Sequence, residues 1–194
     1  EVAKQLFETR KQDITKLLGD EKLAYPLFVK PNFLGSSIGI SRVTSDKELE
    51  WALELVFQFD TLALVEEEVK NLKEINVIVI GHKTLTVSLP EEPMYSGAFQ
   101  DFEAKYLTKG GTIRQEKGSK QKSIIPARIT PEIAHEAENL SKRAFRLINA
   151  SGIMRCEFLH DTVSGRLYFG EINPLPGTLY AHVWEASGIP LPQL

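Results

Sequence analysis

Two strand-like runs, 153–159 and 167–173, flank the turn segment Asp161-Thr162-Val163-Ser164-Gly165, and this pattern constrains the chain more than any other. Two such runs on either side of a polar, glycine-containing turn predict an antiparallel hairpin, whose faces follow at period two. In the first strand Met154, Cys156 and Phe158 share the face that belongs in a core, while Arg155 and Glu157 share the other. In the second strand Glu171 and Asn173 lie on one face, and folding about Val163 or Ser164 sets Glu157 nearly opposite Glu171. Directly opposed carboxylates sit about 5 Å apart and repel, so the arrangement calls for a cation. Oxygen ligands from Glu157, Glu171 and Asn173 suit magnesium, with manganese as a substitute. Magnesium completes its octahedron with phosphate and water oxygens, which makes a nucleotide its natural companion. Arg155 projects beside that metal. The plainer alternative is a solvated hairpin face on which Arg155 neutralises the two acids.

Two other segments offer contacts for a nucleotide. Lys30 ends a short apolar strand just before Gly35-Ser36-Ser37-Ile38-Gly39, whose small residues permit backbone amides to approach phosphate oxygens. The loop is neither a Walker A sequence nor a Rossmann fingerprint, and a turn beside a surface lysine is its bland reading. The run Glu66-Glu67-Glu68 closes a second apolar strand, and Glu74 opens the next. Charges on an edge strand discourage aggregation, which is the bland reading here. Acceptors for an adenine amino group or ribose hydroxyls are the functional one.

Around these segments the chain alternates helix and strand signals. Val2, Leu6, Ile14, Leu17 and Leu18 recur at roughly helical spacing before Gly19 and predict one amphipathic helix ending at that glycine. Ser45-Asp46-Lys47-Glu48 is a capping box in front of a helix reaching about Phe59. Strands are expected over 27–30, 40–43, 62–69, 75–80 and 84–89. Residues 90–118 have no sustained period and are expected to form a long excursion acting as a lid. Thr130 caps and Pro131 begins a helix to about Asn149, burying Ile133, Ala137, Leu140, Ala144 and Leu147. Helix is expected again from Gly177 to Gly188.

A net charge of −3 from 23 basic and 26 acidic residues, with no basic tail, argues against binding nucleic acid through phosphate contacts. The single cysteine excludes an internal disulfide framework, and no apolar run approaches the roughly 20 residues of a membrane span. A soluble, cytoplasmic protein is the expectation. The start, Glu1 to Arg10, has no initiating methionine or signal pattern and reads as a cut inside a longer chain.

Taken in order, Phe28-Val29-Lys30-Pro31, Gly35-Ser36-Ser37-Ile38-Gly39, Val65-Glu66-Glu67, Asp101-Phe102-Glu103-Ala104-Lys105-Tyr106 and Glu171-Ile172-Asn173-Pro174-Leu175-Pro176-Gly177 resemble the D-alanine-D-alanine ligase family of ATP-grasp enzymes. The match spans nearly the whole chain. The resemblance implies an α+β ATP-grasp fold in which a small antiparallel subdomain, about 27–89, and a larger sheet-and-helix subdomain, about 90–194, hold the nucleotide between them. It implies ATP-dependent formation of an acyl phosphate on one D-alanine, attacked by the amine of a second, for peptidoglycan synthesis. Lys30, Ser37 and Lys105 would contact phosphates, Glu66, Glu67 and Val69 would border the adenine, and Glu74 would hold the ribose. Glu157, Glu171 and Asn173 would bind magnesium, while Arg155 and the Gly177 amide would stabilise the tetrahedral intermediate. Ser36 and Tyr106 would position the first substrate, with Tyr106 on a loop that excludes water.

Three departures accompany the resemblance. The first metal carboxylate is usually aspartate in the family, whereas Glu157 is one methylene longer. His182 stands where a serine is expected to grip the second substrate's carboxylate. The family's amino-terminal substrate domain is not represented, so the chain by itself is expected to make no dipeptide. A homodimer of the complete enzyme is compatible with the resemblance. Ligation of another amino or hydroxy acid, and a non-catalytic Mg-ATP-binding protein, are the alternative functions.

Overall fold

The computed structural model describes residues 1–10, 14–34, 38–94, 122–177 and 179–193. They form two compact units, Glu1–Glu68 and Val69–Leu194. In the first unit a four-stranded antiparallel sheet has the order β1-β4-β2-β3, made from β1 (Val2–Ala3), β2 (Leu27–Pro31), β3 (Ser41–Val43) and β4 (Leu62–Glu67). Period-two alternation gives the sheet one dry face. Leu27, Val29, Ala63 and Val65 are buried there against Leu49, Leu53 and Val56 of α3 (Asp46–Val56). Phe28, Lys30, Leu64 and Glu66 alternate onto the opposite face.

The first expected helix is divided differently. Val2–Ala3 pairs with β4 as a strand, and helix occurs as α1 (Lys4–Arg10) and α2 (Ile14–Asp20). Gly19 lies inside α2 rather than ending it. The chain turns at Lys22, which adopts φ 60°, with the Leu23 amide donating to the Leu18 carbonyl and the Lys22 amide to that of Gly19. This is the Schellman pattern with lysine in the position that glycine usually takes. At α3, Ser45 accepts from the Glu48 amide as expected. Glu48 reaches back one residue further than a capping box predicts, accepting from the Thr44 amide at 2.7 Å and its hydroxyl at 2.8 Å.

The second unit is built on a sheet of order β10-β9-β5-β6, from β5 (Leu72–Gly81), β6 (Leu85–Val87), β9 (Gly152–Asp161) and β10 (Leu167–Asn173). Strands β5 and β6, assigned on sequence grounds to the smaller subdomain, belong to this sheet because β5 pairs with β9 over ten residues. One face is covered by α4 (Pro131–Leu147), started by Thr130, whose side chain accepts from the Ile133 amide. Ala137, Ser141, Ala144 and Phe145 are its buried residues. The first three are small enough to let the helix approach Val77, Val79, Met154, Cys156 and Phe158 closely. Leu147, expected on this face, is 81% exposed because the face turns toward Phe145 in the last turn. The other face of the sheet is covered at one end by α5 (Ala181–Ala186), where Val183 and Trp184 pack on Ile78. Helix was expected from Gly177, but Leu179 and Tyr180 take φ 53° and 52° and delay it.

Residues 90–118 were expected to be an excursion. Its described part contains β7 (Glu92–Met94), which pairs with β8 (Lys122–Ile124), and residues 95–121 lie outside the described residues. Glu92 fastens this ribbon. Its buried carboxylate accepts from the Arg128 backbone amide, Nε and Nη2, and lies 3.5 Å from Lys73 Nζ. The bond from the Arg128 side chain is the main reason that the Glu92 pKa falls from 4.5 to about 2, against the opposing effect of burial. A depressed carboxylate pKa stabilises the fold above its unfolded value, and that contribution is lost as pH falls from about 4.5 through about 2. Arg128 is 60% exposed, which screens the pair. Glu92→Gln is therefore expected to lower stability at pH 7 by on the order of 1–2 kcal/mol. Denaturant unfolding of both proteins at pH 7 and near pH 2 checks this, the gap closing at the acidic end. A gap of equal size at both would remove ionised Glu92 as the cause.

Candidate active site

The charged face of the β9–β10 hairpin depends on one irregularity. From the turn, Leu167 pairs with His160, Tyr168 with Leu159 and Phe169 with Phe158. Continued without a break, this register would set Glu171 opposite Cys156 and turn its carboxylate into the core. Instead the register shifts at Gly170, and Glu171 pairs with Glu157, Ile172 with Cys156 and Asn173 with Arg155. One extra residue moves every later side chain to the other face. Phe169, itself exposed, can thus meet the buried Phe158 edge-on at 5.0 Å while Glu171 joins Glu157 on the other face. Glycine suits the position because a Cβ there would lie 3.2 Å from the Glu157 carbonyl oxygen.

Between the two carboxylates stands Arg155. Its Nη2 donates to Glu171 Oε1 at 2.7 Å and reaches Glu157 Oε2 at 3.5 Å, while Nη1 donates to the Tyr180 hydroxyl at 2.7 Å. Burial pulls the Arg155 pKa down, but Tyr180 and the two carboxylates more than compensate, and the net shift is upward. The guanidinium is a fixed cation. Tyr180 is presented from a left-handed backbone, φ 52° and ψ 40°, directly after a second left-handed residue. Conformations of this kind cost of order 1–3 kcal/mol each, and they often accompany a functional constraint.

Pairing of β5 with β9 brings Glu74, Asn76 and Ile78 to the face that holds Arg155 and Glu157, with Asn76 opposite Glu157. Asn76 also joins a polar group that the sequence analysis did not anticipate. Its Nδ2 donates to Glu91 Oε2 at 3.3 Å, and Glu91 Oε1 is 2.7 Å from Nε2 of His182. Glu91 is buried, whereas the His182 side chain is half exposed and its ring lies 5.7 Å from that of Tyr180. His182, Tyr180, Arg155, Glu157, Glu171 and Asn173 are therefore linked by contacts and strand register within one unit. Gly177 lies in the connection between β10 and α5 and is exposed.

In the first unit Lys30 and Glu66 form an ion pair at 2.6 Å on the outward face of β2 and β4. Glu67 turns the other way and accepts from the Ala24 amide at 2.9 Å, so it does not share a face with Glu66. Val69 is half-buried just after β4. Ser36, Ser37, Lys105 and Tyr106 lie outside the described residues.

The donor set on the hairpin fits magnesium. Among the described residues no three His, Cys, Asp or Glu side chains converge, so the site offers the two carboxylates of Glu157 and Glu171. Magnesium needs one or two, with water and phosphate supplying the rest, whereas calcium would want six to eight oxygens. Asn173 Oδ1 accepts the Leu175 amide at 3.0 Å and retains a second lone pair.

The family model described as D-ala D-ala ligase C-terminus matches residues 2–194. The chain belongs to the D-alanine-D-alanine ligase family. A D-alanine--D-alanine ligase from Enterococcus faecalis is 37% identical over 171 residues, 86% of this chain and 46% of that protein. One from Streptococcus pneumoniae is 36% identical over 188 residues, covering 94% and 51%. The chain thus spans about half the length of the curated relatives it matches. Among solved structures, the VanG D-Ala:D-Ser ligase from Enterococcus faecalis superposes with a TM-score of 0.77 at 27% identity over 99% of this chain and 52% of that one. The D-alanine-D-alanine ligase from Coxiella burnetii, at 24% identity and TM-score 0.74, shares the fold. The architecture is the α+β ATP-grasp fold of this family.

Glu91, Asn76 and Tyr180 are what sequence reasoning missed in this member of the family. The doublet Glu91-Glu92 was visible, but nothing local shows that one acid faces His182 and the other Arg128. For the hairpin, Gly170→Val is expected to cost roughly 1–3 kcal/mol by crowding the Glu157 carbonyl, and to separate Glu171 from Glu157. Denaturant unfolding measures the first effect and interstrand backbone NOEs between residues 157 and 171 the second. Unchanged values of both would mean the bulge does not need glycine.

Proposed function

We propose that the protein carrying this chain is an ATP-dependent carboxylate-amine ligase that joins two D-alanines through an acyl phosphate. The reading rests on one observation above others: two carboxylates placed in register around a half-buried arginine, in a member of the D-alanine-D-alanine ligase family. Glu157, Glu171 and Asn173 would hold magnesium, which when bound neutralises phosphate charge and polarises the transferring phosphoryl group. Lys30, Ser37 and Lys105 would bind phosphates. Glu66, Glu67 and Val69 would border the adenine and Glu74 the ribose. Ser36 and Tyr106 would position the first D-alanine. Arg155, held by Tyr180 before any charge develops, would stabilise the tetrahedral oxyanion together with the Gly177 amide, and such preorganised donors are commonly worth about 3–4 kcal/mol each. The product would serve peptidoglycan synthesis in the cytoplasm.

A second reading concerns the second substrate. His182 occupies the place expected of a serine, and one structural relative is named as a D-Ala:D-Ser ligase, so another amino or hydroxy acid is the competing acceptor. Release of ADP and phosphate with D-alanine first, and a panel of D-alanine, D-serine and D-lactate second, separates these readings. No release with any pair would overturn both.

Glu171→Gln and Glu157→Gln each remove a charge from the metal site and are expected to weaken Mg-ATP by roughly a hundredfold, by analogy with other disturbed metal sites. Calorimetric titration with and without magnesium provides the comparison. Equal affinity in both variants and the parent would dismiss the metal assignment.

A further inference from the structure

Glu91 has no part in the reading above, yet it is the most deeply held acid near the site. Its backbone amide and carbonyl are both bonded to Asn76 at 2.8 Å, and its side chain is 5% exposed. Both carboxylate oxygens are used, Oε2 by Asn76 Nδ2 and Oε1 by His182 Nε2. The Asn76 amide cannot be turned round without pointing its oxygen at the carboxylate. A buried charge contributes little to stability compared with an apolar side chain of the same size, so stability alone does not account for Glu91.

An ionised carboxylate only accepts hydrogen bonds, so the ring proton of His182 must reside on Nε2. The lone pair of the neutral imidazole is then on Nδ1, which makes no hydrogen bond with the described residues. The ring packs beside Tyr180, whose hydroxyl holds Arg155. We propose that Glu91 is a positioning residue that fixes His182 with Nδ1 as proton acceptor for the incoming nucleophile. This rests on the ligase reading and deepens it: His182 recognises the amine of the second substrate, where a serine would have gripped its carboxylate.

The step balances. The ammonium of the second substrate gives one proton to Nδ1, and its freed lone pair forms the C–N bond to the acyl phosphate carbon. The C–O bond to phosphate breaks with its pair on the phosphate oxygen, which takes the second nitrogen-borne proton. The imidazolium, still held by Glu91 through Nε2, returns its proton to water.

The test uses the full-length protein. Long-range 1H–15N spectra, with His182→Gln to assign the ring, are expected to show the Nε2–H tautomer. Glu91→Leu removes the acceptor and should mix the tautomers and lower kcat by at least about tenfold, within what general-base positioning contributes, with KM for ATP unchanged. An Nδ1–H tautomer in the parent protein overturns the proposal and needs no variant to fold. So does a Glu91→Leu enzyme with parental kcat. Absence of amino-acid-dependent ADP release from the parent would overturn the ligase reading itself, a result distinct from either.

Discussion

The chemistry of the second unit depends on a single residue of slack in its sheet. Strand β10 sets Leu167, Phe169 and Ile172 on the side of the sheet that packs on α4, with Phe169 at its exposed margin, and Glu171 and Asn173 on the opposite face. No strand of strict period two can do both, since Phe169 and Glu171 are two residues apart and would share a face. The bulge at Gly170 resolves the conflict by letting two residues on β10 oppose one on β9. The apolar pairs before it anchor the hairpin to α4, and the charged pairs after it make the candidate site. Folding and chemistry are thus separated along one strand and not between two elements.

That separation explains what could be read in advance. The hairpin and its short turn were legible because its two strands are adjacent in sequence, but the pairing of Glu157 with Glu171 comes about through the shift at Gly170, which period two does not announce. Other local signals placed β2, read from an apolar run stopped by Pro31, and the Ser45 cap, read from a capping box. Such signals fail where the deciding partner is remote. The first strand, Val2–Ala3, is defined by pairing with Ala63 and Leu62, and no local pattern in two residues announces it. Strands β5 and β6 join the hairpin's sheet through a long pairing between segments some eighty residues apart, whereas the division implied by the resemblance, near residue 89, put them in the smaller subdomain. Lys22 in a left-handed turn is invisible for another reason: the Leu18 to Leu23 contact outweighs the modest preference for glycine there.

The polar network shows the same limit at finer scale. Glu91, Asn76 and His182 come from three elements, and each alone has an ordinary explanation. Only the bridge of Glu91 to Asn76 turns the acid inward and sets it beside the helix that carries His182. Where a side chain's partner is fixed by backbone pairing it did not itself specify, sequence reasoning can name the residue but not its role.

The electrostatics of the hairpin site follow from the same geometry. Glu157, Glu171 and Arg155 together carry a net charge of −1, which is the wrong sign for the polyphosphate and oxyanion that the proposed reaction would place there. Arg155 cannot correct this alone, because its guanidinium is already shared between both acids and Tyr180. A divalent cation ligated by the two carboxylates would bring the cluster to +1 and relieve Arg155 of the task of neutralising them, leaving it pinned by Tyr180 and available to an anion. The residues present therefore pose an electrostatic problem that a magnesium ion would solve, and the half-buried tyrosine contact is what would keep the arginine in place once its carboxylate partners were taken.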